Sequence, residues 1–123
     1  MEVLLDTNFI ISCLLKKIDF LEILNEKGFR IIVPREVLQE LKDLRRDEKT
    51  SRAERQAIEL SFQILVRKKV EKVNVGGRTV DEGLVAKGQQ GAYIATLDRG
   101  IKVKVPNRVV IDNAAKSLKI ERD

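Results

Sequence analysis

Short apolar runs alternate with helical stripes along most of this chain. Val3-Leu4-Leu5, Ile31-Ile32-Val33, Tyr93-Ile94-Ala95-Thr96-Leu97 and Val109-Val110-Ile111 are runs of strand length without charges. Such runs mark strands buried on both faces. Between them the apolar positions fall three or four apart, the period of a helix with one buried face. Phe9, Ile10, Cys13 and Leu14 predict a first helix capped by Thr7 or Asn8. Ile18, Leu21 and Leu24, widened by Phe20 and Ile23, predict a second, stopped at Gly28. Pro34 suits a first helical turn and precedes the stripe Val37, Leu38, Leu41 and Leu44. The charged connector "LRRDEKTSR" (44–52) ends in Ser51 and Glu54, the spacing of a capping box, opening a helix through about Lys69 with Ala53, Ala57, Leu60 and Ile64 on one face.

The later part follows the same logic. Val70, Val73 and Val75 alternate with polar residues, as in an edge strand, and Gly76-Gly77 is a turn. Thr79 and Glu82 repeat the capping-box spacing and open a helix to about Lys87 or Gln90. "IKVKV" (101–105) alternates like a strand, while the chain order calls for a short helix; residues 99–106 stay open between the two. After the run 109–111, Asp112 to Leu118 is expected as a terminal helix. Strands alternating with helices predict an α/β fold whose central sheet is mainly parallel. A chain of 123 residues suits a single domain spanning 1–123.

Composition narrows the chemistry. There is no histidine, which removes Ser-His-Asp and Cys-His catalysis and His-based zinc sites. The lone Cys13 lies in an apolar run and reads as core. One cysteine also excludes zinc ribbons and internal disulfides, and fits a reducing compartment. No apolar stretch is long enough to span a membrane, and the first strand leaves no room for a signal peptide, so a cytoplasmic protein is expected. The net charge of +5 favours a polyanionic partner. Any catalysis must then use carboxylates, hydroxyls, amines or a hard metal held by oxygens.

Four acids fall where such chemistry is possible. In an open parallel sheet, sites form outside the carboxyl ends of the strands. Asp6 follows the first strand and Asp98 the run ending at Leu97. Asp81 shares a helical stripe with Leu84, Val85 and Gly88, and is expected to face the core. Glu40 borders the stripe of Val37 and Leu44. Each has a local reading as well: Asp6 and Asp98 as helix caps, Asp81 as a complement to a helix dipole, Glu40 as a surface acid. Four acids on one rim repel one another unless a cation sits between them. Oxygen ligands suit Mg²⁺ or Mn²⁺. Gly76-Gly77 and Gly88 form no phosphate-cradling loop.

The segments "LLDTNFII" (4–11), "VPREVLQELKDL" (33–44), "VDEGLVAKG" (80–88) and "ATLDRGIK" (95–102) together resemble the PIN-domain nucleases, in the family's order and over nearly the whole chain. The resemblance implies a three-layer α/β/α fold with about five strands. It also implies Mg²⁺- or Mn²⁺-dependent cleavage of RNA. The family's acids carry over onto Asp6, Glu40, Asp81 and Asp98 as catalytic metal ligands, and its supporting polar residues onto Asn8 and Thr96. "VPREVLQELKDL" and "TLDRGIK" are more similar to archaeal and eukaryotic ribosomal-RNA-processing members than to toxins. Gly100 stands where those relatives usually carry an acid, and Glu82 is the candidate replacement. Arg45, Arg46, Lys49, Arg52 and Arg55 around the connector, with Arg99 and Lys102 beside Asp98, are candidate phosphate contacts. The expected partner is RNA, with pre-ribosomal RNA and a second copy of the chain as options. The rival readings are a toxin-type ribonuclease with an antitoxin partner and a catalytically silent RNA-binding scaffold.

Overall fold

The computed structural model describes residues 1–68 and 70–123. Six strands form one sheet in the order β3-β2-β1-β4-β5-β6. They are β1 (Glu2–Leu5), β2 (Arg30–Pro34), β3 (Glu71–Val73), β4 (Tyr93–Ala95), β5 (Asn107–Asp112) and β6 (Ser117–Arg122). β1 to β5 are parallel, and only β6 runs antiparallel, against β5. The helices are α1 (Thr7–Leu15), α2 (Phe20–Glu26), α3 (Arg35–Arg46), α4 (Arg52–Arg67), α5 (Val80–Gln89) and α6 (Arg99–Lys102).

Side chains alternate across a strand, and here the alternation sorts the core into two layers. Val3, Leu5, Val33, Tyr93 and Ala95 join residues of α1 to α4 in one apolar cluster. Leu4, Ile32 and Ile94 point the other way, onto Leu84 of α5 and Ile101 of α6. The result is a three-layer α/β/α arrangement. Gly88 lets α5 lie close on its layer: a Cβ there would come within 2.4 Å of Val105 Cγ1. Cys13 is buried, and burial pushes its thiol up to about 12, so it is inert core. No described helix is long and apolar enough to cross a membrane.

Several expectations need correction. The expected terminal helix over 112–118 is instead a turn and β6, so the sheet has six strands rather than about five. Leu118 and Ile120 pair with Ile111 and Val109 in register, and that ladder outweighs the local helix preference of Ala114-Ala115-Lys116. Helix α4 is rotated from the expected face. It buries Ala57, Ile58, Ser61 and Leu65, while Leu60 is 44% exposed. It ends at Arg67, and its expected end at Lys69 lies outside the described residues. Helix α1 is capped by Asp6 rather than by Thr7 or Asn8. Residues 99–102 are the short helix: Ile101 and Val105, four apart, are buried, whereas Val103 between them is 80% exposed.

Candidate active site

β1 and β4 are neighbours, yet β1 leads the chain towards β2 on one side and β4 leads it towards β5 on the other. Their carboxyl ends therefore flank the point where strand order reverses, the place where parallel sheets form sites. Leu5 pairs with Ala95, and the Asp6 N–H donates to the Ala95 carbonyl at 3.0 Å. This register sets Asp6 beside Thr96, with Asp98 two residues further on.

Asp6 is 7% exposed and both its oxygens are held. Oδ1 accepts the Thr7 N–H at 2.8 Å, the helix cap, and Oδ2 accepts the Thr96 hydroxyl at 2.8 Å. Thr96 is fully buried, and its Oγ1 also accepts the Asp98 N–H at 3.0 Å. One hydroxyl thus ties the two strand-end acids together. Thr7 is buried as well, and its hydroxyl donates to Glu40 Oε1 at 2.7 Å, linking α3 to the same rim.

No cationic side chain pairs with Asp6 among the described residues. Burial pushes its carboxyl above the ordinary aspartate range. The bonds from Thr96 and Thr7 oppose that rise, and the negative charges of Asp81 and Glu40 add to it. Those two acids are near enough to be felt, so Asp6, Glu40 and Asp81 share one electrostatic neighbourhood. Asp98 caps α6 through Oδ1, which accepts the Gly100 and Ile101 N–H groups at 2.7 and 3.3 Å. It lines one depression of about 340 Å³ with Asp81, Glu82 and Lys104. It lines a second, of about 370 Å³, with Asn8, Ser12 and Leu97.

Asp81 is exposed, which corrects the expectation that it faces the core: α5 buries Gly83, Leu84 and Gly88, and its first turn opens to the rim. Glu82 is held by a local task, its Oε2 accepting the Arg78 N–H at 2.7 Å. The carboxylates share the rim without closing on one point. Among the described residues, no three His, Cys, Asp or Glu side chains are near enough to hold one ion. Glu40, Asp81 and Asp98 are exposed around a buried Asp6. The donor set is oxygen alone, and each Asp6 oxygen keeps a second lone pair, a chemistry suited to a hard divalent cation.

Some bases of the connector have local structural tasks and others are free at the surface. Arg46 lies six residues beyond Glu40, about 9 Å further along α3. Arg55 clamps the connector by donating to the Arg45, Asp47 and Thr50 carbonyls. Arg45 pairs with Glu59 at 3.3 Å and stacks on Phe62. Arg46, Lys49 and Arg52 are exposed; Arg99 is exposed beside Asp98, and Lys102 is half-buried in α6.

Two contributors escaped the sequence reading. Thr7 read as a cap, although its place between Asp6 and Asn8 was the available signal. Glu36, in the first turn of α3, was not singled out at all. Its carboxylate accepts the Val75 and Gly76 N–H groups at 3.1 Å each, fastening the loop that leads into α5 and Asp81. Burial of Glu36 favours its neutral form, but these N–H groups and its own outweigh it and hold the carboxyl below its usual value.

A family model described as a PIN domain matches residues 3–117. Among solved structures, the chain is similar to one described as the PIN domain endonuclease Utp24, with a TM-score of 0.76 and 23% identity over 99% of this chain and 92% of that one. It is also similar to VapBC2 from Rickettsia felis, solved with a DNA fragment from its promoter, with a TM-score of 0.53 and 15% identity over 89% of this chain and 97% of that one. No curated protein sequence matches it.

Proposed function

Because the chain belongs to the PIN-domain nuclease family, we propose that it is a Mg²⁺- or Mn²⁺-dependent endoribonuclease acting at the rim of Asp6, Glu40, Asp81 and Asp98. The observation that carries this reading is Asp6. It is a buried carboxylate at the switch point of the sheet, repelled by two neighbouring acids and paired with no cation among the described residues. Holding a charge there is costly unless a partner arrives, so the site is built to take up positive charge.

Asp6, Glu40, Asp81 and Asp98 would hold the ion. Bound there, it would supply Lewis acidity, making water a better nucleophile at neutral pH and offsetting charge on phosphate oxygens. The protein's own part is positioning. Thr96 fixes Asp6 Oδ2 and the Asp98 backbone together. Thr7 fixes Glu40. Glu36 fastens the loop before Asp81. Asn8, exposed in the depression beside Asp98, would orient the scissile strand.

The resemblance of "VPREVLQELKDL" and "TLDRGIK" to ribosomal-RNA-processing members extends the proposal to a precursor ribosomal RNA as substrate. The test is cleavage of single-stranded RNA by wild type, Asp6→Asn and Asp98→Asn, each with Mn²⁺ or with EDTA. Wild type with Mn²⁺ should cut, and the two variants should not while melting as cooperatively as wild type. Cleavage by Asp98→Asn at the wild-type rate overturns the site assignment. Growth arrest on expression, relieved by a neighbouring gene, would replace the processing role with a toxin role.

A further inference from the structure

A further depression, of about 500 Å³, lies where α1 ends and the β5–β6 turn begins, and Lys16, Lys17 and Lys116 line it. It is linked to the acidic rim by residues that neighbouring depressions share. Asp98 borders both the Asp81 depression and the one beside α1. Leu15, 46% exposed, borders both that one and the lysine depression. The path follows α1, whose nine residues span about 14 Å.

Like every other lysine among the described residues, these form no ion pair. Lys16 donates to Asn113 Oδ1 at 2.5 Å, joining the helix end to the hairpin turn. One feature sets the other two apart from an ordinary solvated surface: Lys17 and Lys116 have φ of 58° and 50°, the only positive values at non-glycine positions among the described residues. A helix end and a hairpin turn with positive φ normally take glycine or asparagine, which adopt that backbone more cheaply. Lysine occupies both sites against that local preference, and both residues line one depression. Strained backbone concentrates where a side chain is put to use.

We propose that Lys16, Lys17 and Lys116 form a docking site for the backbone phosphates of single-stranded RNA, a few nucleotides from the bond cut at the acidic rim. The inference rests on the ribonuclease reading above and adds the direction in which the strand leaves the site, along α1. The exposed Leu15 and half-buried Leu97 offer the intervening bases an apolar floor.

The test is fluorescence anisotropy with a labelled twelve-nucleotide oligouridylate in EDTA, which separates docking from cleavage. The variants are Lys17→Gly/Lys116→Gly and, with the same charge change, Lys17→Asn/Lys116→Asn. Lys27→Ala/Lys68→Ala is the control elsewhere on the surface. Each lost phosphate contact lowers the slope of log K against log salt by about 0.7 for a single strand. Losing two contacts should therefore lower the slope by about 1.4 and raise Kd about tenfold near 0.15 M salt. The melting temperature should hold or rise, because glycine and asparagine fit the positive φ. The control should bind like wild type. If wild type binds and cuts RNA but both double variants keep its Kd and slope, the docking site is overturned and the ribonuclease reading stands. An equal loss in the control overturns it too, in favour of general charge. A wild type that neither binds the oligouridylate nor cuts it with Mn²⁺ overturns both.

Discussion

Replacing Thr96 by valine keeps the shape of a fully buried side chain and deletes one hydroxyl. Two bonds disappear: the donation to Asp6 Oδ2 at 2.8 Å and the acceptance from the Asp98 N–H at 3.0 Å. A hydrogen bond to a charged partner contributes about 1.5–3 kcal/mol. The Asp98 N–H adds less, about 1 kcal/mol at most, since its residue is exposed and water can reach it. The sum is about 3 kcal/mol, which in a domain of this size lowers Tm by about 10 °C. Thr96→Ser keeps the hydroxyl and loses one buried methyl, costing about 1 kcal/mol, so the order of stability should be wild type, serine, valine. The deficit should also depend on pH. Burial already holds the Asp6 carboxyl above its ordinary 3.8, and the Thr96 bond opposes that rise. Without the hydroxyl the folded value climbs further. A carboxyl raised in the folded state binds its proton more tightly there than in the unfolded chain, so the valine deficit is full at neutral pH. It shrinks as pH falls through the variant's folded value to that of wild type, itself above 3.8. Urea denaturation of the three proteins at pH 7 and pH 4.5 measures both effects. A valine variant as stable as the serine one, with the same gap at both pH values, would refute the claim that Thr96 supports a buried charge.

Removing the Glu36 carboxylate by Glu36→Ala should cost about 1–2 kcal/mol and abolish hydrogen-exchange protection of the Val75 and Gly76 amides. Because the Glu36 carboxyl is depressed, its contribution is present above the ordinary value of 4.5 and is lost as pH falls through the folded value. Gly88→Ala should destabilise by about 1–3 kcal/mol, since the new methyl meets Val105 Cγ1 at 2.4 Å and Ile94 Cγ1 at 3.0 Å; thermal melting reads the loss. Saturating Mn²⁺ should raise Tm by the equivalent of about 2.7 kcal/mol at a hundred times Kd, and Asp6→Asn should erase that shift.

Much of the architecture is legible where local pattern and tertiary pairing agree. Val3-Leu4-Leu5 and Ile31-Ile32-Val33 are apolar on both faces because both faces are covered. The positions of Asp6 and Asp98 follow from the ends of two such runs. Legibility fails where tertiary context decides. Ser117 to Glu121 does alternate polar and apolar, a strand signal overlapped by the helix-favouring Ala114-Ala115-Lys116, but nothing local announces that Ile120 will lie against Val109. On α4, apolar residues occupy more than one stripe, so the period alone fits two rotations about the helix axis and packing against α1 and α3 selects one. Asp81 shares a stripe with Leu84, but that stripe meets the rim rather than the sheet in the first turn of α5. The role of Arg55 as a clamp on backbone carbonyls depends on a connector shape that charge composition does not encode.

The most direct test of the metal-holding rim is Mn²⁺ titration followed by paramagnetic broadening of amide resonances. The account predicts early, selective loss of the Thr7, Asn8, Asp81, Glu82, Asp98 and Gly100 signals, all removed by Asp6→Asn. Broadening centred anywhere else, or unchanged by Asp6→Asn, would contradict it.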